Sequence, residues 1–408
     1  MFYNINGDIM REERIIFHID VNNAFLSWTA VKLLNEGYET DIRTIPSIIG
    51  GDESKRHGII LAKSPIAKKY GIKTAETIYS ARKKCANLKI FPPEHDYYGA
   101  SSKKLFNYLS KFSPNMEQIS VDECFLDMSN TNYLYDNLID LAYQIKEEVK
   151  KQFGITVNIG IGNNKLCAKM ASDFEKPDKV HTLFEDEIKS KMWPLPVGEL
   201  FMVGRKSAEK LEVLGIKTIG ELATTDQNFL KKHFKSLGIT MWEYANGIDN
   251  SKVINEYDSN KCISVSETFE TDVENVNRLK KTLLEQTEKA SKLLRKQGYY
   301  ATTVAVTIKT FDFRNFSKQV KLNNATDITN EIYQAIEKLF DNFWDGTKVR
   351  NIGIRLSNFT NTCDRQLSLF ETYNEKDHNF QKTLDNIKEK YGNNIVMPAS
   401  LLENDKND

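Results

Sequence analysis

The sequence predicts a multidomain α+β protein, and three observations carry that expectation. The first is length: 408 residues exceed what one hydrophobic core usually organises, so two to four domains are expected. The second is an N-terminal third in which β-branched and aromatic runs alternate with an amphipathic helical pattern, as in a sheet with helices on one side. The third is a change of pattern. Beyond Trp193-Pro194-Leu195-Pro196 short helical segments follow, and from about residue 255 strands and longer helices alternate again.

Taken in order, Ile15-Ile16-Phe17-His18-Ile19 reads as a strand that ends in Asp20. The polar stretch 40–84, with Gly50-Gly51 and several lysines, reads as a small insertion. A second strand, Ile119–Leu126, carries Asp122 and Glu123. Leu134, Leu138, Leu141, Ile145, Val149 and Phe153 recur at three- and four-residue spacing, which predicts a helix over 134–153. A strand at Ile155–Ile161 follows, rich in glycine at its end. Past the proline boundary, 203–222 reads as two short helices joined by a turn. Residues 277–297 and 328–343 read as helices, and Val304–Lys309 and Val349–Leu356 as strands.

Asp20, Asp122 and Glu123 are the most informative residues. If their two strands pair, three acids meet at one sheet edge. Unpaired, they would repel and take up protons. Two divalent cations would relieve the repulsion, as in sites with ions ~3.5–4 Å apart that carry out phosphoryl and nucleotidyl transfer. The residues alone leave a plainer alternative open, acids at strand ends in solvent. His18 shares Asp20's side of the strand by alternation, and a satisfied buried histidine is favoured there over a ligand.

Charge is balanced at 56 basic and 56 acidic residues, so only its distribution points to a partner. Residues 292–321 hold seven basic side chains and one acid, Asp312, a composition suited to phosphates. The tail 371–408 holds eight acids against five lysines. Five scattered cysteines form no C-x-x-C pair, which argues against zinc and against a disulfide framework. Residues 1–14 have no apolar leader core, and no run approaches 18 apolar residues. A soluble cytoplasmic protein with no membrane partner is expected.

Three segments carry a resemblance. Asp20-Val21-Asn22-Asn23-Ala24-Phe25-Leu26-Ser27 and Ser120-Val121-Asp122-Glu123-Cys124-Phe125-Leu126-Asp127 resemble the first two motifs of the Y-family, the lesion-bypass DNA polymerases. Gly160–Ser172, followed by Glu175-Lys176-Pro177, is similar to the third. The order matches over roughly 15–360, with the UmuC-like branch of Gram-positive bacteria, their phages and plasmids as the most similar part. The resemblance implies a right-hand architecture. The palm is 1–23 with 92–185, the fingers 24–91 and a helix-hairpin-helix thumb 186–253. An α/β little finger spans 254–360, and a tail 361–408 follows.

The resemblance also implies the chemistry: translesion synthesis from dNTPs on primer-template DNA, serving damage tolerance or SOS mutagenesis. Asp20, Asp122, Glu123 and the carbonyl of Val21 would hold two Mg²⁺ ions, with Mn²⁺ as an alternative. Phe25 would be the steric gate against ribose. Lys68 and Lys176 would meet the triphosphate. Many relatives carry tyrosine and arginine where this chain has Pro65 and Lys68. Gly204, Arg205 and Lys206 of the hairpin, with Lys309, Arg314 and Lys318, would touch DNA. The hairpin's usual first glycine is Met202 here. Gln366-Leu367-Ser368-Leu369-Phe370 resembles a sliding-clamp-binding motif, in which Gln366, Leu367, Leu369 and Phe370 would seat in the clamp. Other SOS proteins are further candidate partners. Competing readings are a non-catalytic DNA-binding scaffold, a nucleotidyl cyclase and a helix-hairpin-helix glycosylase. Intact Asp20, Asp122, Glu123 and Lys176 argue against the scaffold; a cyclase would not need the hairpin, the basic domain or the clamp motif; and a glycosylase would carry its acid after the hairpin and no triad of acids on strands.

Overall fold

The computed structural model describes residues 14–51, 58–255, 261–362, 375–392 and 395–396. They fall into two compact units, one ending before residue 257 and one that follows it.

The first unit is built on a five-stranded sheet of order β5-β6-β1-β7-β8. Its strands are β1 (Ile16–Val21), β5 (Met116–Gln118), β6 (Glu123–Asp127), β7 (Val157–Gly162) and β8 (Val180–Leu183). β1 is central and antiparallel to both β6 and β7, and β8 runs parallel to β7. Alternation along β1 sends Phe17, Ile19 and Val21 into a core with Leu105 and Leu109 of α4 (His95–Leu109) and Ile145 and Val149 of α5 (Leu138–Phe153). Ile16, His18 and Asp20 point to the opposite face. That face is not bare: α6 (Lys165–Asp173) packs on it, so helices lie on both sides of the sheet and not on one, as the sequence suggested. The reason lies in Gly160, whose added Cβ would stand 2.0 Å from the Ala168 carbonyl oxygen and 2.3 Å from the Ser172 nitrogen. Only glycine lets the helix press this close.

Two boundaries also differ from expectation. α5 begins at Leu138, where the Asn137 side chain accepts from the Ile139 and Asp140 amides; the hydrophobic spacing extends further back than this cap allows. The strand expected at 119–126 is the second arm of a β5–β6 hairpin, and Asp122 sits on its turn, not in the strand.

A smaller sheet, β3-β2-β4, is formed by β2 (Ser47–Gly50), β3 (Ile60–Lys63) and β4 (Lys89–Phe91). It packs with α2 (Pro65–Lys69) and α3 (Ile78–Lys84) around Ile48, Ile60 and Ile78. α1 (Ala24–Asn35) joins the two sheets: Trp28 faces the first core, while Leu26 and Ala30 meet Ile49 and Ala62. Beyond residue 200 come α7 (Arg205–Val213), α8 (Ile219–Thr224), α9 (Gln227–Phe234) and α10 (Ser236–Ala245). They share a core with Leu166, Cys167 and Met170 of α6, so the proline boundary is a packed junction.

The second unit is a four-stranded antiparallel sheet of order β11-β10-β12-β9, from β9 (Cys262–Val273), β10 (Tyr300–Thr310), β11 (Asn315–Thr326) and β12 (Val349–Thr360). α11 (Val276–Lys296) and α12 (Thr329–Asp341) cover one face around Val304, Val306, Ile352 and Ile354. A helix not expected from the sequence, α13 (Glu375–Tyr391), joins this unit through Arg295, whose Nε lies 2.6 Å from Asp385 Oδ2.

Candidate active site

Strand register brings the acids together. Asp20 and Glu123 are direct partners across β1 and β6, and the Val21 amide donates to the Asp122 carbonyl at 2.9 Å, which ties the hairpin turn to the end of β1. Asp20 is 13% exposed, so its charge is felt by its neighbours. Lys176 Nζ contacts Asp20 Oδ2 and lies 2.8 Å from Asp173 Oδ1. Burial works against the Lys176 ammonium, and Asp20 and Asp173 more than offset it, so its pKa is raised. Glu123 Oε2 lies 3.1 Å from His18 Nε2 and 2.6 Å from Lys169 Nζ. The His18 bond, ahead of opposing burial and with Lys169 as second donor, holds the Glu123 carboxyl down at about 2. Asp122 behaves in the opposite sense. Burial pushes it up, the Ser120 hydroxyl pulls it back, and repulsion from Asp20 and Glu123 adds to the rise. Two of the three acids thus have lysine partners, and Asp122 has a hydroxyl.

Among the described residues no group of three or more His, Cys, Asp or Glu side chains forms a ready metal cage. The donor set nevertheless suits a divalent cation. It consists of hard carboxylate oxygens, and the raised Asp122, crowded by two like charges, is a group that a cation would favour. The Lys176 ammonium supplies positive charge at Asp20.

Sequence reading missed the scaffold that holds Lys176. Asn158 is fully buried in β7; its Nδ2 donates to the carbonyls of Ser172 at 3.0 Å and Glu175 at 2.6 Å. Asn22 Nδ2 donates to Asn158 Oδ1 at 3.0 Å, and the Asp178 amide donates to Asn22 Oδ1 at 2.9 Å. These amides clamp the 173–179 loop to the sheet. The available signal was an asparagine inside the apolar run Val157-Asn158-Ile159, since a buried polar group must find partners.

Phe25 lies in the first turn of α1. Its ring stacks on Tyr98 at 4.7 Å and 13° and meets His95 edge-on at 6.1 Å. Tyr98 is itself 1% exposed and anchored by a 2.8 Å bond between its hydroxyl and Thr29 Oγ1. Phe25 is half-buried and backed by a rigid ring. Lys68 is exposed on α2, which starts with Pro65 and the Ser64 cap. It stands near Lys63, whose pKa is lowered by burial and then by the Lys68 charge.

In the hairpin, Met202 takes the left-handed conformation, φ 70°, that a glycine would take without strain. Gly204 caps α7 with open space around it, and Arg205 and Lys206 are exposed, Arg205 pairing with Glu209 at 2.7 Å. In the second unit, the register separates the expected contacts. Lys309 shares a row with Asn315, Asn351 and Thr268, on the sheet face opposite the α11 and α12 core. Adjacent rows on that face are Ser317, Thr307, Gly353 and Ser266, then Gln319, Ala305, Arg355 and Ser264. Lys318 pairs with Val306 and therefore lies toward the other face, at the exposed edge. Arg314 is at the β10–β11 tip, 2.6 Å from Asp312. Arg355, on the polar face, was not anticipated, and its buried Nε has no hydrogen-bond partner among the described residues. Gln366, Leu367, Leu369 and Phe370 lie outside the described residues.

Comparison with known proteins places the chain among related sequences and folds. The impB/mucB/samB family profile matches residues 19–173, its C-terminal domain 260–369, and the helix-hairpin-helix motif of the same family 185–216. The chain is 48% identical to DNA polymerase IV of Clostridium acetobutylicum over 394 residues, 96% of this chain and 99% of that one. It is 33% identical to DNA polymerase IV 2 of Bacillus subtilis, covering 96% of each chain. Among solved structures, a Y-family DNA polymerase chimera superposes with a TM-score of 0.73 at 23% identity, covering 84% of this chain and 98% of that one. None of the described helices is long and apolar enough to cross a membrane. With the motif acids paired across β1 and β6 and the matches spanning nearly the whole chain, the protein belongs to the Y-family and is a DNA-directed DNA polymerase.

Proposed function

We propose that this polymerase carries out translesion synthesis in damage tolerance or SOS mutagenesis, in the cytoplasm, by two-metal nucleotidyl transfer. The observation that carries the reading is the pairing of Asp20 with Glu123, with Asp122 on the adjoining turn. Asp20, Asp122, Glu123 and the Val21 carbonyl would hold the ions, Mg²⁺ or alternatively Mn²⁺. When bound, the ions lower the pKa of the primer 3′-hydroxyl and neutralise developing phosphate charge.

The rest is the work of the chain. Lys176 leaves Asp20 for the incoming triphosphate, carrying its charge only a short way because Asn158 and Asn22 fix its loop. Lys68 presents a second ammonium from the fingers. Phe25, unable to retreat against Tyr98, fills the space a 2′-hydroxyl would need. The palm is assigned to 1–23 and 92–185, the fingers to 24–91, the thumb to 186–253, the little finger to 254–360 and the tail to 361–408.

At the hairpin, the amides after Gly204, with Arg205 and Lys206, receive a DNA phosphate. Along the little finger, Lys309 and the hydroxyls and amides of its open face follow the duplex backbone, with Arg314 and Lys318 at the rim. Gln366, Leu367, Leu369 and Phe370 recruit the chain to a sliding clamp, and other SOS proteins are candidate partners. The deciding experiment is primer extension by Asp122→Ala. A folded variant that still binds primer-template DNA but does not extend it supports the site; substantial extension removes it.

A further inference from the structure

None of the roles above uses His18. It lies on β1 two residues before Asp20, is 1% exposed, and packs against the Phe125 ring at 4.7 Å. Its two ring nitrogens reach different elements. Nε2 is 3.1 Å from Glu123 Oε2 on β6, and Nδ1 is 2.8 Å from Ser172 Oγ on α6. Lys169 Nζ approaches the same Glu123 oxygen, Oε2, at 2.6 Å. Both donors therefore converge on one carboxylate oxygen, and among the described residues none bonds to Oε1.

The hydrogen positions follow from chemistry. A carboxylate only accepts, so His18 Nε2 carries a hydrogen. Ser172 Oγ lies 2.8 Å from Nδ1, and its hydroxyl donates to the Lys169 carbonyl oxygen at 2.8 Å, so Ser172 ties the ring to the backbone of α6. Ser172 is fully buried, which excludes it as a nucleophile and leaves orientation as its role.

We propose that Ser172 and His18 form a positioning relay that fixes the Glu123 carboxylate with Oε2 held by the protein, so that Glu123 offers one oxygen, Oε1, to the cation it binds. This rests on the reading of Glu123 as a ligand given above. An unanchored carboxylate could turn and chelate through both oxygens; His18 and Lys169 prevent that rotation. A histidine that merely fills the core would matter for stability and not for metal affinity or the chemical step.

The test uses the full chain with primer-template DNA. It compares His18→Leu, His18→Gln, Ser172→Ala and Glu123→Gln by single-turnover extension, by Mn²⁺ titration followed by electron paramagnetic resonance, and by melting. His18→Leu lowers the maximal rate and weakens Mn²⁺ binding by about 10- to 100-fold, the usual cost of losing a partner behind a metal ligand, with the dNTP KM nearly unchanged. His18→Gln, whose amide restores a donor at similar reach, recovers most of both losses. Ser172→Ala shows a smaller loss of the same kind. Parental rate and Mn²⁺ affinity in folded His18→Leu overturn the relay, as does a His18→Gln variant no better than His18→Leu at equal melting temperature. If His18→Leu does not fold, Ser172→Ala decides: parental rate and Mn²⁺ affinity there overturn the relay. Glu123→Gln separates the two levels. Parental activity in that variant removes the ligand reading itself, whereas an inactive Glu123→Gln beside a parental His18→Leu removes only the relay.

Discussion

The contact between α6 and β7 is the feature of this site most exposed to a single methyl group. Gly160→Ala places a Cβ 2.0 Å from the Ala168 carbonyl oxygen and 2.3 Å from the Ser172 nitrogen, both of them backbone atoms that cannot rotate away. Real Cβ contacts essentially stop at 3.0 Å, so α6 must withdraw by at least the 1.0 Å that separates 2.0 from 3.0. Overpacking of this sort costs about 1–3 kcal/mol, and a rigid obstacle places it at the upper end. The helix carries Lys169 and Ser172 and leads into Lys176, so the displacement passes to the groups around Glu123 and Asp20. A misplacement of about 1 Å costs roughly 100-fold in rate. The assay is primer extension by the purified variant beside a thermal melt. Gly99→Ala is the control: Gly99 is exposed within α4, nothing lies within 4 Å of its added Cβ, and alanine adds up to about 1 kcal/mol of helix propensity. Gly160→Ala with parental melting temperature and parental rate would refute the argument, because it would mean that the helix does not bear on the sheet as described.

Phe25→Ala raises ribonucleotide incorporation about 10- to 200-fold, the discrimination one steric pocket supplies, while deoxyribonucleotide use changes much less; unchanged sugar selectivity reduces Phe25 to core packing. Replacing Gln366, Leu369 and Phe370 by alanine leaves distributive synthesis on a bare primer nearly unchanged and abolishes stimulation by a sliding clamp. The free peptide contact is expected near micromolar, about −8 kcal/mol, and gains from tethering on DNA; full stimulation of the triple variant makes the segment a linker. Asp178 is pushed up by burial, but Lys146 and Lys150 outweigh that and hold it below its ordinary 3.8. Its contribution to stability is therefore complete above pH 3.8 and is lost as pH falls below that value. Asp178→Asn lowers stability at pH 7 by about 1–3 kcal/mol and removes this share of the acid dependence, read as a smaller gap between variant and parent at pH 3 than at pH 7 in denaturant melts.

Much of this was legible in the chain. The β-branched and aromatic run Ile15–Ile19 and the three-and-four spacing over 134–153 indicated a strand and a helix of the first unit, and the two motif segments indicated the acids that the register pairs. What failed had physical causes. Asp122 was read into a strand because Ile119 and Val121 are β-branched, whereas the chain turns there and both side chains are exposed. β11 was missed because Asn315–Lys321 is an exposed edge segment without apolar alternation. α13 was missed although Phe380, Leu384, Ile387 and Tyr391 recur at three- and four-residue spacing; its attachment includes charge pairs to distant residues, Arg295 with Asp385 and Lys388 with Glu288, which local spacing does not show. The polar partners of the site, Asn158, Ser172 and Lys169, come from positions up to 154 residues away from the groups they hold, and no local pattern announces such pairings.

The three acids are held in three different electrostatic states, and that asymmetry follows from which element supplies each partner. Glu123 faces α6, so a lysine and a histidine fix it and keep it ionised well below neutral pH. Asp20 faces the 173–179 loop, so its partner, Lys176, sits on a segment tied down by backbone carbonyls and asparagine amides but free at its ammonium end. Asp122 rides on a hairpin turn, where its carboxylate accepts from the Ser120 hydroxyl and has no lysine partner among the described residues, and burial pushes its carboxyl up. On the proposed reading Asp20, Asp122 and Glu123 would hold the cations, and a triphosphate would compete with Asp20 for the Lys176 ammonium. Lys176 would then be the group whose exchange couples nucleotide arrival to the readiness of the carboxylates, because Glu123 is fixed by His18 and Lys169 and Asp20 is not so fixed.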